Sequence, residues 1–159
     1  MRGGFVVTQR DVTTDRRKPD SIAISSHFID AHHVQRVALS PSEFANEGRI
    51  WRAGWAYQIP YRALLPIRTE CTNLLVPGAA SFSHVAFCTY RLESVWMTGG
   101  HAAGAAAAFA CQSGKPVQDL DIRHLQASLR SQKQVIDFVP GLPEKWSDPR
   151  GGTGGLPEF

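Results

Sequence analysis

The stretch of sequence that decides the fold is NLLVPGAASFSHVAFCTYRLESVWMTGGHAAGAAAAFA, residues 73–110. It predicts a short buried strand at residues 74–76, then a loop of small residues, then Arg91 just before a long helix. A helix N-terminus offers unpaired N–H groups and the positive end of the helix dipole. This order of elements is therefore typical of the cofactor-facing end of a dinucleotide-binding fold.

The long helix is expected over residues 94–112, with Gly114 as its left-handed stop. Gly100 and Gly104 are one helical turn apart, so they share a face of this helix. Each glycine costs about 1 kcal/mol relative to alanine in a helix interior, which calls for a compensating contact. We therefore expect this face to approach a sheet or a bound cofactor closely.

The remaining strands are expected in the first half of the chain. Residues 21–30 and 55–59 are rich in β-forming residues and predict two strands, the second of them stopped by Pro60. Residues 40–54 contain the glycine, proline and asparagine of a loop or a wide hairpin connection.

Two further helices and a tail complete the prediction. Thr8 and Asp11 have the spacing of a capping box, which predicts a short helical turn. Residues 121–134 predict an amphipathic helix whose apolar face carries Ile122, Leu125 and Leu129. After Pro140 the chain is rich in proline and glycine, and we expect a flexible tail there.

Composition excludes several classes of protein. A chain of 159 residues with 43% hydrophobic and 19% charged residues is typical of one folded domain. The net charge of +3 is scattered without an aromatic-interleaved basic stripe, so we expect no nucleic-acid binding. No apolar run is long enough to cross a membrane. Three cysteines without a Cys-x-x-Cys pair, and no signal peptide at Met1, favour a cytoplasmic protein by default and leave the compartment open.

A group of histidines beside an aspartate raises the question of a metal site. Strand geometry would place Asp30 and His32 on one face, and His27 and His33 on the other. Two ligands on a face are fewer than the three that an iron or zinc site needs. We expect no metal site and interpret Asp30 and His32 as a substrate-facing pair.

Seven segments, taken in order and with their spacing, resemble the C-terminal half of the FAD-dependent oxidoreductase family, in the group related to xanthan lyases. They cover roughly residues 1–135, and each alone would be a weak signal. The matching segments are residues 1–9 (MRGGFVVTQ), 19–22 (PDSI), 29–36 (IDAHHVQR), 46–48 (NEG), 57–62 (YQIPYR), 73–110 and 117–121 (VQDLD).

The resemblance implies an α/β fold, which would be α+β as an isolated fragment. Residues 1–72 would be a β-rich part on the substrate side. Residues 73–136 would supply the last strand and the long helix of a glutathione-reductase-type FAD domain, and residues 137–159 the tail. The chain has no Gly-x-Gly-x-x-Gly, so the βαβ unit that holds the ADP half of FAD is missing. A truncated gene product, or a partner chain that supplies the unit, would explain this.

The resemblance also implies a cofactor site. Arg91 would stabilise the negative charge of reduced flavin, together with the N-terminus of the long helix. The alternative is a surface arginine that caps a loop. Small residues and the helix start would line the edge of the flavin ring, or else would only form a tight turn: Gly78, Ala79, Ala80, Ser81, Val95 and Trp96.

Four residues are the candidates for substrate chemistry. His84 would donate a hydrogen bond or move a proton, and the alternative is a loop histidine bonded to a carbonyl. Asp30 and His32 would face the substrate. Arg62 would anchor a carboxylate or a flavin carbonyl, or else form an ion pair with a glutamate, Glu70 or Glu93.

The function that the resemblance implies is that of an FAD-dependent oxidoreductase, present as its C-terminal portion. A small organic substrate would transfer a hydride to the flavin. The alternative is a non-catalytic remnant, or a module that binds a partner chain, without a complete flavin site. Either way, we expect this chain alone to bind FAD weakly or not at all.

Overall fold

The computed structural model describes residues 1–52 and 54–142, which form a mixed α+β fold. This confirms the expected class for the fragment. The expected tail falls mostly beyond residue 142, outside the described residues. In chain order the elements are α1 (Gln9–Thr13), β1 (Ser21–Ser25), β2 (Ile29–Ala31), β3 (Gln35–Ala38), β4 (Phe44–Glu47), β5 (Ile50–Arg52), β6 (Tyr57–Pro60), a 3-10 turn (Tyr61–Leu64), α2 (His84–Tyr90), α3 (Glu93–Ser113), a second 3-10 turn (Val117–Asp119) and α4 (Ile122–Ser131).

The described strands pair as three two-stranded antiparallel sheets: β1 with β6, β2 with β5, and β3 with β4. The strand predicted over residues 21–30 is therefore two strands, β1 and β2, which pair with different partners. The region predicted as a loop or wide hairpin connection contains β4 and β5 as short strands. The residues of β4 are mostly exposed and those of β5 are all half-buried, so neither strand shows the alternation of buried and exposed positions that marks a strand.

The β3–β4 hairpin stands apart from the rest of the fold. Its two strands make their main contacts with each other. The side chains of Val34 and Leu39, which flank β3, are 76% and 64% exposed, and Phe44 on β4 is 56% exposed. This hairpin is therefore held by its own ladder and not by a hydrophobic core.

The main hydrophobic core lies between the β1–β6 sheet and helices α3 and α4. Strand β6 is buried along its whole length, because α1, the 3-10 turn and the last described residues surround it. One cluster of buried residues runs from Val7 to Ile136, so it joins the segments 1–72 and 73–136. Its largest fully buried members are Tyr57, Tyr90, Ile22, Ile59, Leu64, Leu125, Leu129 and Ile136.

The strand predicted at residues 74–76 is wrong. The segment is irregular, and the side chain of Leu74 is 47% exposed. A run of three apolar residues becomes a strand only when a neighbouring strand accepts its backbone hydrogen bonds. Here the recorded bond is a single one, from the Val76 N–H to the Leu64 carbonyl at 3.0 Å, and no described strand lies alongside.

The long helix is confirmed as α3, and Gly114 ends it in the left-handed conformation with φ of 62°. The expected packing of Gly100 and Gly104 against a sheet is wrong, and their expected approach to a cofactor stays a prediction. A Cβ atom built at either position would meet no atom of the described residues within 4 Å. The close contact is at Gly99, where a Cβ would lie 2.9 Å from the Tyr90 hydroxyl.

The two other predicted helices are confirmed. At the start of α1, the Asp11 carboxylate accepts hydrogen bonds at 2.8 Å from both the backbone and the hydroxyl of Thr8. Helix α4 begins after Asp121, whose carboxylate accepts from the Arg123 N–H at 2.9 Å. Leu125 and Leu129 on α4 are fully buried, as the amphipathic pattern predicted.

Candidate functional site

The candidate site lies where α2 meets α3. The sequence predicted no helix over residues 84–90, and α2 is the helix that sequence reasoning missed. Its signal is Ser83, whose side chain caps the helix by accepting from the Ala86 N–H at 3.4 Å. Arg91 ends α2, because its N–H donates to the Phe87 carbonyl at 2.8 Å, and α3 begins two residues later.

Arg91 is bound to Asp30 on strand β2. Its Nε donates to the Asp30 carbonyl oxygen at 3.0 Å, and its Nη2 to the Asp30 carboxylate at 3.3 Å. Their side chains are 31% and 21% exposed, so the pair is shielded on most sides and still open to a ligand. Among the described residues, no partner of Nη1 is recorded. Arg91 therefore joins the β2–β5 sheet to the α2–α3 junction through Nε and Nη2, and its Nη1 is left to donate to a ligand.

A second uncommitted donor lies in the first turns of α3. The indole Nε1 of Trp96 is buried and has no hydrogen-bond partner among the described residues. A buried donor without a partner costs about 1–3 kcal/mol. The first N–H groups of a helix also lack partners within the helix. In α3 the Val95 and Trp96 N–H groups donate to the Leu92 carbonyl, so the N–H groups of Glu93 and Ser94 are left for an acceptor, although the carboxylate of Glu93 lies in the same turn.

Val95, the other α3 residue expected at the ring edge, is 8% exposed and belongs to the main core. Its backbone N–H donates to the Leu92 carbonyl at 2.9 Å. Its side chain is thus committed to packing.

Residues 78–81 lie in the loop before α2. The first two of them are accessible and the last two are buried. Gly78 is half-buried, Ala79 is exposed, and the Ala79 carbonyl accepts from the Met1 amino group at 2.8 Å. Ala80 and Ser81 are 4% and 0% exposed. The Ser81 hydroxyl accepts from the Gly3 N–H at 2.9 Å, and its own N–H donates to the Ala63 carbonyl at 2.8 Å. A contact of Ala80 or Ser81 with a flavin ring stays a prediction.

Tyr90 fixes this loop against α3, and sequence reasoning missed it. Its ring stacks on Phe82 with centroids 4.3 Å apart, and its hydroxyl donates to the Pro77 carbonyl. Gly99 leaves room for that hydroxyl. The Gly-Gly pair in α3 is the signal that could have located this contact.

The histidine candidates are accessible but are not brought together by any recorded bond. His84 is the exposed first residue of α2, and His32 is exposed directly after β2. In the described part of the chain, neither is linked to Asp30 or Arg91 by a recorded hydrogen bond or ion pair. Asp30 faces Arg91, so the expected Asp30–His32 pair stays a prediction.

Arg62 is engaged, but with a different residue from those expected. Its Nη1 lies 2.7 Å from the Asp20 carboxylate, and its guanidinium stacks on the Phe5 ring at 4.2 Å. The expected alternative partners, Glu70 and Glu93, are not the ones used. Arg62 therefore anchors the turn after β6 to the loop before β1.

Cys88 lies beneath the Arg91–Asp30 pair and is 3% exposed. Burial raises the pKa of its thiol, an effect that the Arg91 charge opposes and the Asp30 charge supports. Its thiol donates to the His84 carbonyl at 3.2 Å. A protonated, buried thiol is not a nucleophile, so Cys88 acts as a packing residue.

Two other kinds of site were sought in residues 1–52 and 54–142. No group of three or more His, Cys, Asp or Glu side chains is placed to hold a metal ion there. No helix in the same ranges is both long and apolar enough to cross a bilayer.

Comparison with known proteins assigns the family. Neither the curated proteins nor the solved structures contain a match to this chain. A family model described as FAD dependent oxidoreductase matches residues 1–129, which is most of the chain and includes β1 to β6, α2, α3 and the first turns of α4. The chain therefore belongs to the FAD-dependent oxidoreductase family.

Proposed function

We propose that this chain supplies the ring-facing side of an FAD site in an oxidoreductase, at the junction of α2 and α3. The observation that carries the proposal is a set of donors without a recorded partner in the described residues: Arg91 Nη1, the buried Trp96 Nε1 and the N–H groups of Glu93 and Ser94. Flavin presents an acceptor-rich edge that becomes negative on reduction, so this donor set fits it.

A bound FAD would supply the hydride acceptor for a small organic substrate. The residues of this chain would bind and orient the reactants. Arg91 and the helix dipole of α3 would favour negative charge at the ring edge. Gly78 and Ala79 are the accessible members of the loop, and their small size permits close approach.

The substrate would lie on the side of strand β2. His32 and His84 are exposed imidazoles, and both would be accessible to a substrate as proton donors or acceptors. Arg62 would hold a carboxylate with the part of its guanidinium that Asp20 leaves open, because its side chain is 37% exposed.

The ADP half of FAD would be held elsewhere. The sequence contains no Gly-x-Gly-x-x-Gly, and the described residues contain no parallel βαβ unit. A further segment or a partner chain would supply that unit. In this proposal, residues 1–72 form the substrate-side part and residues 73–136 the flavin-side part of one hydrophobic core.

The alternative function is that of a non-catalytic remnant or a partner-binding module. The observation that favours it is the open face of α3 at Gly100 and Gly104, which no atom of residues 1–52 or 54–142 approaches within 4 Å of a Cβ position. In that case the donors at the α2–α3 junction would serve folding or protein binding and not flavin.

Titration with riboflavin, FAD and ADP separates the two functions. We expect the purified protein to be colourless, and riboflavin and FAD to bind weakly with similar affinity, because only the ring is recognised. ADP should not compete. Isothermal titration or flavin fluorescence gives the affinities.

Each contrary outcome has its own meaning. A yellow protein with stoichiometric FAD would contradict the incomplete site, and the absence of any flavin binding would favour the non-catalytic alternative. Arg91→Ala should weaken the binding of reduced riboflavin. Arg68→Ala is the matched control, because Arg68 also pairs with an aspartate, Asp119, but at the exposed surface elsewhere.

A further inference from the structure

We propose that Asp30 is a positioning residue: it holds the Arg91 guanidinium in one orientation, with Nη1 left for a ligand. This inference rests on the proposed function, since the ligand is the flavin ring edge. It assigns Asp30 a role that acts through Arg91 and not through the substrate.

The contacts come from one edge of the guanidinium. Nε and Nη2 lie on the same side of this planar group, and both donate to Asp30, at 3.0 Å to the carbonyl and 3.3 Å to the carboxylate. Two bonds from one edge fix the plane as well as the position of the group. The opposite corner, Nη1, has no recorded partner in the described residues.

Both residues of the Arg91–Asp30 pair are held in place by packed neighbours. Asp30 sits in the middle of β2, opposite Trp51 on β5, and its neighbours Ile29 and Ala31 are 3% and 6% exposed. Those neighbours pack against Cys88 of α2. Arg91 follows α2 directly, so the same small core sets the distance between the two residues.

The Arg91–Asp30 pair lowers the entropic cost of binding a ligand at Arg91. A free arginine samples many rotamers, and immobilising such a side chain on binding costs conformational entropy. An arginine that is already oriented avoids most of this cost. A second consequence opposes the first, because the Asp30 carboxylate partly neutralises the charge that Arg91 offers to an anion.

The two effects predict opposite results when the carboxylate is removed. If Asp30 acts only as a nearby negative charge, both Asp30→Ala and Asp30→Asn strengthen the preference for reduced flavin. If Asp30 positions Arg91, Asp30→Ala weakens that preference. Asp30→Asn then preserves most of it, since the amide oxygen still accepts from Nη2.

The first measurement is the order of the Arg91 side chain, by ¹⁵N relaxation of Nε in the full chain. The Arg91 signal is assigned by its loss in Arg91→Lys. We expect Nε to be ordered in the wild type and in Asp30→Asn. In Asp30→Ala it should become more mobile than in the wild type, because the bond from Nη2 is lost and only the bond from Nε to the backbone carbonyl remains. The exposed Arg123 gives the mobility of an arginine that is not held in this way. Asp20→Ala is the matched control, because it breaks the other shielded Asp–Arg pair, with Arg62.

The second measurement is the ratio of the dissociation constants of oxidised and reduced riboflavin. We expect the wild type to bind the reduced form more tightly, and Asp30→Ala to lower the ratio about tenfold, as for one charge-assisted hydrogen bond. Asp30→Asn and Asp20→Ala should stay near the wild-type ratio. The double variant Asp30→Ala/Arg91→Ala should lose no more than Arg91→Ala alone.

The outcomes separate the two proposals. An Arg91 Nε that is as ordered in Asp30→Ala as in the wild type, or a raised riboflavin ratio in that variant, would overturn the positioning role. A ratio that Arg91→Ala leaves unchanged would instead overturn the proposed flavin site, whatever the relaxation data say. Protein that binds no riboflavin at all would overturn both.

Discussion

Gly99 and Tyr90 show how a single missing side chain shapes the helix pair. The Tyr90 ring is held by stacking on Phe82 and by its bond to the Pro77 carbonyl, so it cannot move away easily. Its hydroxyl occupies the space that a Cβ on residue 99 would need. Gly104, five residues later, has open space and no such constraint.

These two glycines should therefore respond to alanine with opposite signs. Gly99→Ala should destabilise the protein by about 1–3 kcal/mol, because the new methyl group overpacks against Tyr90. Gly104→Ala should stabilise it by up to about 1 kcal/mol through helix propensity. Thermal melts of both variants measure this. A lowered melting temperature for Gly104→Ala would mean that its face is covered after all.

The buried Lys18–Asp11 pair should make the stability of the protein depend on pH. The Lys18 side chain is 3% exposed, and its ammonium lies 3.0 Å from the Asp11 carboxylate. Burial by itself raises the pKa of Asp11, but hydrogen bonds from Thr8 and Lys18 outweigh it, so the net shift is downward. A lowered folded-state pKa gives stability that is present above the unfolded-state value of about 3.9 and is lost as the pH falls through the folded value.

Asp11→Asn should therefore cost about 1–3 kcal/mol at neutral pH, and the difference from wild type should shrink below about pH 4. Urea unfolding at several pH values measures it. Asp15→Asn is the control, because Asp15 shares the Lys18 partner but is 63% exposed. An equal loss in both variants would show that burial is not what makes the Asp11 contact strong.

At the scale of elements, helix α4 depends on Asp121, the residue that caps its N-terminus. The Asp121 carboxylate accepts from the backbone N–H groups of Arg123 and His124. Asp121→Ala should cost about 1 kcal/mol, as the loss of an N-cap usually does. Asp137→Ala should cost almost nothing by comparison, since its bond to Arg130 is an exposed ion pair. Chemical denaturation of the two variants checks the contrast.

The elements that could be predicted from the sequence are those with local signals. Helices α1, α3 and α4 carry a cap, a glycine stop or an apolar stripe within their own residues. Residues 74–76 were mistaken for a strand, because apolar character alone does not supply a neighbouring strand. Strands β3 to β5 escaped prediction, since their exposed positions lack alternation.

The candidate site was only partly predictable for a related reason. The place of Arg91 just before a helix follows from the local sequence. Its bond to Asp30 joins residues 61 positions apart, and depends on how β2 packs on α2. No local pattern specifies such packing. The uncommitted Trp96 indole likewise follows only from the packed structure.

At the scale of the whole molecule, the three tyrosines report on the core together. Tyr57, Tyr61 and Tyr90 are all buried, and their hydroxyls form hydrogen bonds that link separate elements. Burial raises the pKa of Tyr57 to about 12, and it also raises the pKa of Tyr61 and of Tyr90. In the unfolded chain the same groups ionise near pH 10, at about the ordinary value.

The folded state therefore holds more protons than the unfolded state above about pH 10, and stability should fall as the pH rises further. We expect the tyrosinate absorbance to stay flat until the protein unfolds, and then to rise in one step together with the loss of circular dichroism. A gradual rise around pH 10 in protein that is still folded would show that at least one tyrosine is open to water.

The exposed β3–β4 hairpin has a consequence for the timing of local motion. Two strands without a packed face are only marginally stable in water, whereas the β1–β6 ladder lies within the main core. The hairpin should open and close many times for each unfolding of the whole chain. In deuterated water its amides should exchange early, and those of β6 should exchange only through global unfolding. Hydrogen exchange measured over a series of denaturant concentrations should then show two groups of amides. Those of the β3–β4 hairpin should exchange fast at every concentration, and those of the β1–β6 ladder slowly until the whole chain unfolds.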